Sequence, residues 1–286
     1  MSIDQPPGKP EPARSFGGVA DAYDRGRPTY PREAAVWLTS DRHPQGQALS
    51  VLELGAGTGK LTEQLVALGH DVHATEPDPK MLAILAKNLP DVRVSQATAE
   101  EIPSGDSSYD VVVCAQAFHW FDYDKALPEI ARVLRPRGRL SLVWNQRDER
   151  IPWVKRLGKI IGTQEHLTDP SEVLGKSRLF GEVEEEAFRF WQIVDQHSIR
   201  DLVRSRSNIA LLSTPEQEAK MAEVLAFYEE YGRGRDGMQL PYTASCFRSQ
   251  MLDQVAPRLS DGDSAEGSEN LVSDGSSTDM LLIDFH

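Results

Sequence analysis

The segment best suited to binding chemistry is VLELGAGTGK, residues 51–60. Glu53 stands in a predicted strand, three glycines follow at alternate positions, and a predicted helix opens at Lys60. Glycine permits positive φ and lets a ligand approach the backbone closely. The helix start leaves N–H groups without partners and carries partial positive charge. This pattern is typical of a loop that binds a nucleotide-like ligand at the carboxyl end of the first strand of an α/β sheet.

A second acid, Glu76, ends the next predicted strand, 21 residues after Gly55. That separation is about one strand–helix–strand half-unit, and a carboxylate there can accept hydrogen bonds from ribose hydroxyls. Asp78 and Pro79 follow as a helix start, because Asp caps helices and Pro suits the first helical position. The sequence therefore predicts a ribose-bearing cofactor, held by the glycine loop and Glu76.

A third element, AQAFHWF at residues 115–121, follows the apolar run 109–114. The run predicts a strand buried on both faces, whose carboxyl end lies where ligands bind. Gln116 is a candidate pocket residue. His119 is interpreted as a group that contacts or orients substrate, with general base and packed core residue as alternatives, since its ordinary pKa lies near neutrality.

These elements together resemble a known family. The glycine spacing G-x-G-x-G after Glu53 is similar to motif I of the class I S-adenosylmethionine-dependent methyltransferases. The segments RPTYP (residues 27–31) and AQAFHWF resemble the methyltransferase type 11 domain family, in particular the small-molecule methyltransferases related to trans-aconitate methyltransferase. The resemblance implies S-adenosyl-L-methionine (SAM) as cofactor and S-adenosyl-L-homocysteine (SAH) as product.

The resemblance and the motifs assign His119 and Gln116 as candidate catalytic residues and no metal ligand. The predicted cofactor-binding residues are Glu53, Gly55, Ala56, Gly57, Thr58, Gly59, Glu76, Pro77, Ala99, Glu100, Ala115, Gln116, Tyr23 and Arg27.

The expected fold is α/β, a Rossmann-like, seven-stranded, mostly parallel sheet with helices on both faces and helical insertions over the pocket. Residues 240–247 are predicted to form a seventh, antiparallel strand that closes the sheet. The expected domains are a disordered N-terminus (1–14), an N-terminal helical lid (15–45), a SAM-binding core (46–146), substrate-cap insertions with the last strands (147–250), and an acidic disordered tail (257–286).

The amino-acid composition limits the classes of molecule that the protein is expected to bind. The formal net charge of −13 disfavours a nucleic-acid binder, which needs a basic face. No apolar run is long enough to span a bilayer, and the N-terminus lacks the apolar segment of a secretory signal. The two cysteines are interpreted as reduced core thiols. These features predict a cytoplasmic monomer or homodimer that acts on a small molecule.

The predicted function is transfer of the SAM methyl group to a small-molecule acceptor, with an oxygen acceptor (carboxylate or hydroxyl) favoured. The alternatives are a SAM-binding or interaction protein without turnover, and an NAD(P)-dependent oxidoreductase. The glycine spacing and the lack of a recognisable Tyr-x-x-x-Lys pair disfavour the oxidoreductase.

Overall fold

A computed structural model describes residues 20–40, 48–162, 169–210, 212–232 and 237–253 of the chain. The predicted N-terminal and C-terminal disordered segments, 1–14 and 257–286, lie outside the described residues. Of the described helices, none is long and apolar enough to cross a membrane.

The described residues form one seven-stranded sheet in the order β3-β2-β1-β4-β5-β7-β6. The strands are β1 (Ser50–Leu54), β2 (Asp71–Thr75), β3 (Arg93–Ser95), β4 (Tyr109–Ala115), β5 (Leu134–Arg147), β6 (Phe180–Val194) and β7 (Met238–Met251). The first five strands pair in parallel, and β7 pairs antiparallel with both β5 and β6. This arrangement confirms the predicted Rossmann-like, mostly parallel sheet.

The helices are α1 (Ala20–Gly26), α2 (Arg32–Thr39), α3 (Lys60–Ala67), α4 (Pro79–Asn88), α5 (Tyr123–Val133), α6 (Pro152–Ile161), α7 (Pro170–Ser177), α8 (Gln196–Arg204), α9 (Ser207–Ala210) and α10 (Thr214–Tyr231). Asp78 caps α4 as predicted, since its side chain accepts hydrogen bonds from the backbone N–H groups of Lys80 and Met81 at 2.8 and 3.2 Å.

The central strands are buried on both faces, because successive residues point to opposite sides of a strand. Leu52, Val112 and Leu142 belong to the hydrophobic core on one face, which α5 and α7 cover. Val51 and Val113 belong to the core on the other face, which α2 and α3 cover. A third core joins α6, α8 and α10 to the β6–β7 end of the sheet.

Several predicted boundaries were wrong. The seventh strand does not close the sheet: β7 lies between β5 and β6, so β6 is the edge strand. Strand β2 ends at Thr75, one residue before Glu76. Strand β5 starts at Leu134 and is offset from β4 by a register shift. Arg137, inside β5, takes the left-handed conformation with φ of 65°.

Candidate functional site

The glycine loop connects β1 to α3 at the carboxyl edge of the parallel strands. Gly55, Gly57 and Gly59 have φ of +67°, +59° and +91°, in the left-handed region that side chains disfavour. At Gly55 a Cβ atom would also lie 2.6 Å from the Cβ of Ala117. The alternation of glycines is therefore required by the backbone itself, and only the small residues Ala56 and Thr58 stand between them.

Glu76 fixes this loop from the end of β2. Its Oε2 accepts a hydrogen bond from the backbone N–H of Gly57 at 2.8 Å, and its Oε1 accepts one from Asp78 at 3.0 Å. Burial raises the pKa of this carboxyl group, and the two backbone hydrogen bonds oppose that shift. Since a carboxylate offers about four lone-pair positions, two acceptor positions remain for a ligand.

Glu53 is a second buried acid beneath the loop. The Thr62 hydroxyl donates to its Oε2 at 2.6 Å, while its Oε1 is buried and has no hydrogen-bond partner among the described residues. Burial raises the pKa of Glu53 to about 8, and nearby Glu76 adds to the shift. A buried carboxylate oxygen without a donor is costly, which indicates that a cationic or hydrogen-bonding ligand group belongs beside it.

Helix α1 and the residues after it lie over the glycine loop. A Cβ atom at Gly57 would be 3.9 Å from Cε1 of Tyr23, and the guanidinium carbon of Arg27 lies 5.1 Å from the centre of the Tyr23 ring. Arg27 also donates to the carbonyl of Ser205 at 3.0 Å, which connects α1 to the end of α8. Burial raises the pKa of Tyr23, and Arg27 opposes that shift.

Between these elements lies a cleft of about 590 Å³, open to solvent. The described residues that line it come from the α1 region, the glycine loop, the ends of β4 and β5, the end of α8, and β7. They are Tyr23, Arg27, Pro28, Tyr30, Glu53, Gly55, Ala56, Gly57, Thr58, Lys60, Leu61, Ala115, Gln116, Asn145, Arg147, Leu202, Arg206 and Tyr242.

Gln116 lies in this cleft at the end of β4, with φ of +60°. Its backbone N–H donates to the carbonyl of Val143 at 2.9 Å, and its side-chain amide donates to the carbonyl of Asn145 at 3.1 Å. A non-glycine residue held in the left-handed region costs about 1–3 kcal/mol, and such strain is concentrated at functional sites. The hydrogen bonds to β5 hold Gln116 in this conformation.

The structure brings most predicted site residues to the cleft, but not all of them. Six predicted residues are not among its lining residues: Gly59, Glu76, Pro77, Ala99, Glu100 and His119. Of these, Glu76 adjoins the cleft through its hydrogen bond from the backbone of Gly57, which does line it. Glu100 accepts a hydrogen bond from the backbone N–H of Asp122 at 2.9 Å. His119 lies in the 3₁₀ turn Phe118–Trp120, with its ring centre 4.6 Å from that of Trp120.

Several residues that line the cleft were not predicted from the sequence, and three of them are polar and come from the ends of the later elements: Arg147, Arg206 and Tyr242. Arg147 ends β5, so the rule that places ligands at the carboxyl ends of parallel strands could have found it. Arg206 follows α8 and Tyr242 lies in β7, and no local pattern marks either of them.

The contact between α1 and α8 determines where Tyr23 and Arg27 lie. Arg25 pairs with Asp201 at 2.8 Å, although its side chain is 61% exposed and the pair contributes little. Gly26 contributes more, because a Cβ atom there would be 2.3 Å from the backbone of Asp201 and Leu202. The two helices approach this closely only because residue 26 has no side chain.

We therefore expect Gly26→Ala to push α1 away from α8 and to lower the free energy of unfolding by about 1–3 kcal/mol, as overpacking does. Urea denaturation measures the effect. Gly175→Ala in α7 is the matched control, since no neighbouring atom of the described residues lies within 4 Å of a Cβ there. The control is expected to be neutral or stabilising by up to about 1 kcal/mol. Equal stability of Gly26→Ala and wild type would contradict the proposed packing.

Comparison with known proteins agrees with this geometry. The family model "Methyltransferase domain" matches residues 52–142. An uncharacterised methyltransferase of Mycobacterium tuberculosis is 42% identical over 247 residues, covering 83% of this chain and 96% of the relative. An uncharacterised methyltransferase-like protein of Schizosaccharomyces pombe is 37% identical over 242 residues, covering 81% and 93%.

Among solved structures, the YcgJ protein of Bacillus subtilis matches with a TM-score of 0.50 and 16% identity, covering 78% of this chain and all of that one. At 16% sequence identity, this structural similarity shows only that the two proteins share a fold. The two sequence relatives carry the assignment further, because each matches nearly throughout its length. The chain belongs to the methyltransferase domain family, whose members use S-adenosyl-L-methionine as methyl donor.

Proposed function

We propose that this methyltransferase transfers the methyl group of SAM to a small-molecule acceptor, with oxygen as the favoured acceptor atom. One observation carries the proposal. Two buried acids adjoin the glycine loop: Glu53 lies in the strand that leads into it, and Glu76 accepts a hydrogen bond from the backbone of Gly57. A ligand that occupies this loop meets one carboxylate suited to hydroxyl groups and another suited to a cation.

The residues present fit the two ends of the cofactor. Glu76 retains acceptor positions for the ribose hydroxyls beside its hydrogen bond to Gly57. The unpartnered Oε1 of Glu53 suits the ammonium of the methionine part, and Arg27 suits its carboxylate. Binding of that ammonium would offset the cost that burial imposes on ionised Glu53.

The methyl donor supplies an electrophilic carbon, so that the acceptor atom forms a bond to this carbon while the electron pair of the broken C–S bond leaves with sulfur. The residues of the chain then have to orient the acceptor and exclude water, and orientation can contribute on the order of 7–11 kcal/mol. Gln116 is proposed as the residue that orients the acceptor, since it is held rigidly in the cleft.

The acceptor decides whether a base is needed. A carboxylate acceptor has no proton to lose, whereas a hydroxyl must lose one. His119, which does not line the cleft, remains the proposed base for a hydroxyl acceptor. The described helices α1 and α2 are proposed as a lid over the cofactor, and α6, α8 and α10 as the substrate cap.

Calorimetric titration with SAM, SAH, NAD and NADP tests the cofactor. We expect saturable binding of SAM and SAH and none of the nicotinamide cofactors. Gly57→Arg should abolish that binding, because a side chain there enters the space beside Met81 and Tyr23, 3.7 and 3.9 Å from the Cβ position. Gly175→Arg is the control that adds the same charge at an open position.

Turnover is tested separately, by incubating the protein with SAM that carries a tritiated methyl group and a library of small acids, alcohols and amines. Label in an acid or an alcohol supports the oxygen acceptor. Label in amines alone would overturn the acceptor atom while leaving the cofactor assignment intact. Binding of NAD or NADP without SAM would overturn the proposal as a whole.

A further inference from the structure

One end of the cleft has a strongly basic lining. Of the described residues that line the cleft, four are basic (Arg27, Lys60, Arg147 and Arg206) and only Glu53 is acidic. The whole chain, by contrast, has a formal net charge of −13. Basic residues gathered around a concave site in an acidic protein mark the charge of the ligand that the site attracts.

Some of the charged side chains that line the cleft have a partner of opposite charge or a shifted pKa. Lys60 pairs with Asp24 at 3.0 Å, and Glu53 is largely protonated at neutral pH because burial raises its pKa to about 8. Arg147 lies 3.2 Å from a carboxylate oxygen of Glu149, although its side chain is only 2% exposed. Even with these pairs, the lining holds three arginines and one acidic residue.

Tyr242 marks where the arginines converge. It is the cross-strand partner of Arg147 in the β5–β7 ladder, and it is buried. Burial raises the pKa of its hydroxyl, while Arg147, Arg27 and Arg206 each act to lower it. Three arginines, brought from the end of α1, the end of β5 and the end of α8, thus line the same cleft as this phenol.

The cofactor accounts for at most one of these arginines. Arg27 lies by Tyr23 over the glycine loop and is assigned above to the methionine carboxylate. Arg147 is held on the β5 side, where it donates to the carbonyl of Gly162 at 2.9 Å. Arg206 follows α8, and its Nη2 atom lies 3.7 Å from where a Cβ atom on the same Gly162 would be. These two arginines therefore lie close together in the lining that also contains Tyr242, and neither is assigned to SAM.

We propose that Arg147 and Arg206, with Tyr242, form the acceptor subsite and that the acceptor is a small anion bound through a carboxylate or phosphate group. This inference rests on the proposed methyltransferase function and adds the class of acceptor. Arginine suits the role because its planar guanidinium binds carboxylate and phosphate in a bidentate manner.

The test is calorimetric titration of the SAH-saturated protein with citrate, malonate and inorganic phosphate, beside the neutral amide malonamide. We expect at least one anion to bind and malonamide not to bind. Binding of citrate or malonate alone assigns a carboxylate acceptor, and binding of phosphate alone assigns a phosphorylated one. Arg206→Gln should weaken binding of the anion by about 10-fold or more and change the Kd of SAH by less than about 2-fold.

Arg204→Gln is the matched control, since Arg204 is an exposed residue of the same helix end and does not line the cleft. It removes the same charge and should leave anion binding unchanged. Arg206→Lys separates charge from geometry, and should retain part of the affinity. Failure of SAH to bind would refute the underlying function. Normal SAH binding without anion binding, or equal losses in Arg204→Gln and Arg206→Gln, would overturn the acceptor subsite alone.

Discussion

Replacing Glu76 with alanine is expected to weaken SAM binding by about 100-fold, because hydrogen bonds to a charged group are worth about 1.5–3 kcal/mol each and two ribose hydroxyls lose their acceptor. The same change leaves the N–H groups of Gly57 and Asp78 without their carboxylate partner. The loop is then less well held for the ligand. Titration calorimetry measures the change in Kd, and urea denaturation measures any change in stability.

Glu63→Ala is the control for Glu76→Ala. Glu63 is an exposed acid in the first turn of α3, beside the same glycine loop, and it makes no contact with the cleft. It should leave the Kd of SAM within about 2-fold of wild type, since exposed charges interact weakly. A Glu76→Ala protein that binds SAM as tightly as wild type would show that Glu76 is a structural brace for Gly57 rather than a ligand-binding group.

The local part of this site could be predicted from the sequence. The glycines of residues 51–60 and the acid Glu76 follow one another along the chain, and their conformations depend on short-range backbone geometry. Gly55, Gly57 and Gly59 all adopt the positive φ that their spacing indicates. The strand-end rule likewise places Gln116 in the cleft, because β4 runs parallel to β1 in the register expected of this sheet.

The basic end of the cleft could not be predicted in this way. Tyr242 reaches the site because β7 inserts between β5 and β6, which pairs it with Arg147. Arg206 reaches it because α8 packs against α1, a contact that depends on the missing side chain of Gly26. These juxtapositions come from pairings between residues about 100 or more positions apart, for which a single sequence carries no periodic signal.

His119 shows the limit of reasoning from strand ends. The chain turns immediately after Gln116, and the 3₁₀ turn Phe118–Trp120 buries Phe118 in the core. This turn directs the His119 ring against Trp120, away from the lining of the cleft. The assignment of His119 as a base therefore stays a prediction, and it depends on an acceptor that must lose a proton.

The second large effect is expected from Glu53→Gln, which should stabilise the free protein and weaken SAM binding at once. Burial raises the pKa of Glu53 from 4.5 to about 8. Between these values the unfolded chain has lost the proton that the folded protein keeps, so the folded state loses stability as pH rises through this window. Glutamine carries no charge to bury. Its stabilising effect is therefore small at pH 5, grows with pH, and levels off above about pH 8, at on the order of 5 kcal/mol.

Glu53→Gln is expected to increase stability but to decrease SAM affinity. This combination distinguishes an acid that binds ligand from a buried acid with no function. Glutamine at position 53 cannot offer a charged oxygen to the cofactor ammonium, so the Kd of SAM should rise by about 10-fold or more. Thermal unfolding with and without SAM at pH 5 and pH 8.5 measures both quantities, with exposed Glu63→Gln as control. If Glu53→Gln destabilised the free protein at pH 8.5, burial would not be penalising the ionised carboxylate. If it stabilised the protein but left SAM binding unchanged, the unpartnered oxygen of Glu53 would have no part in holding the ammonium, and the cation-binding side of the loop would have to be assigned to other groups.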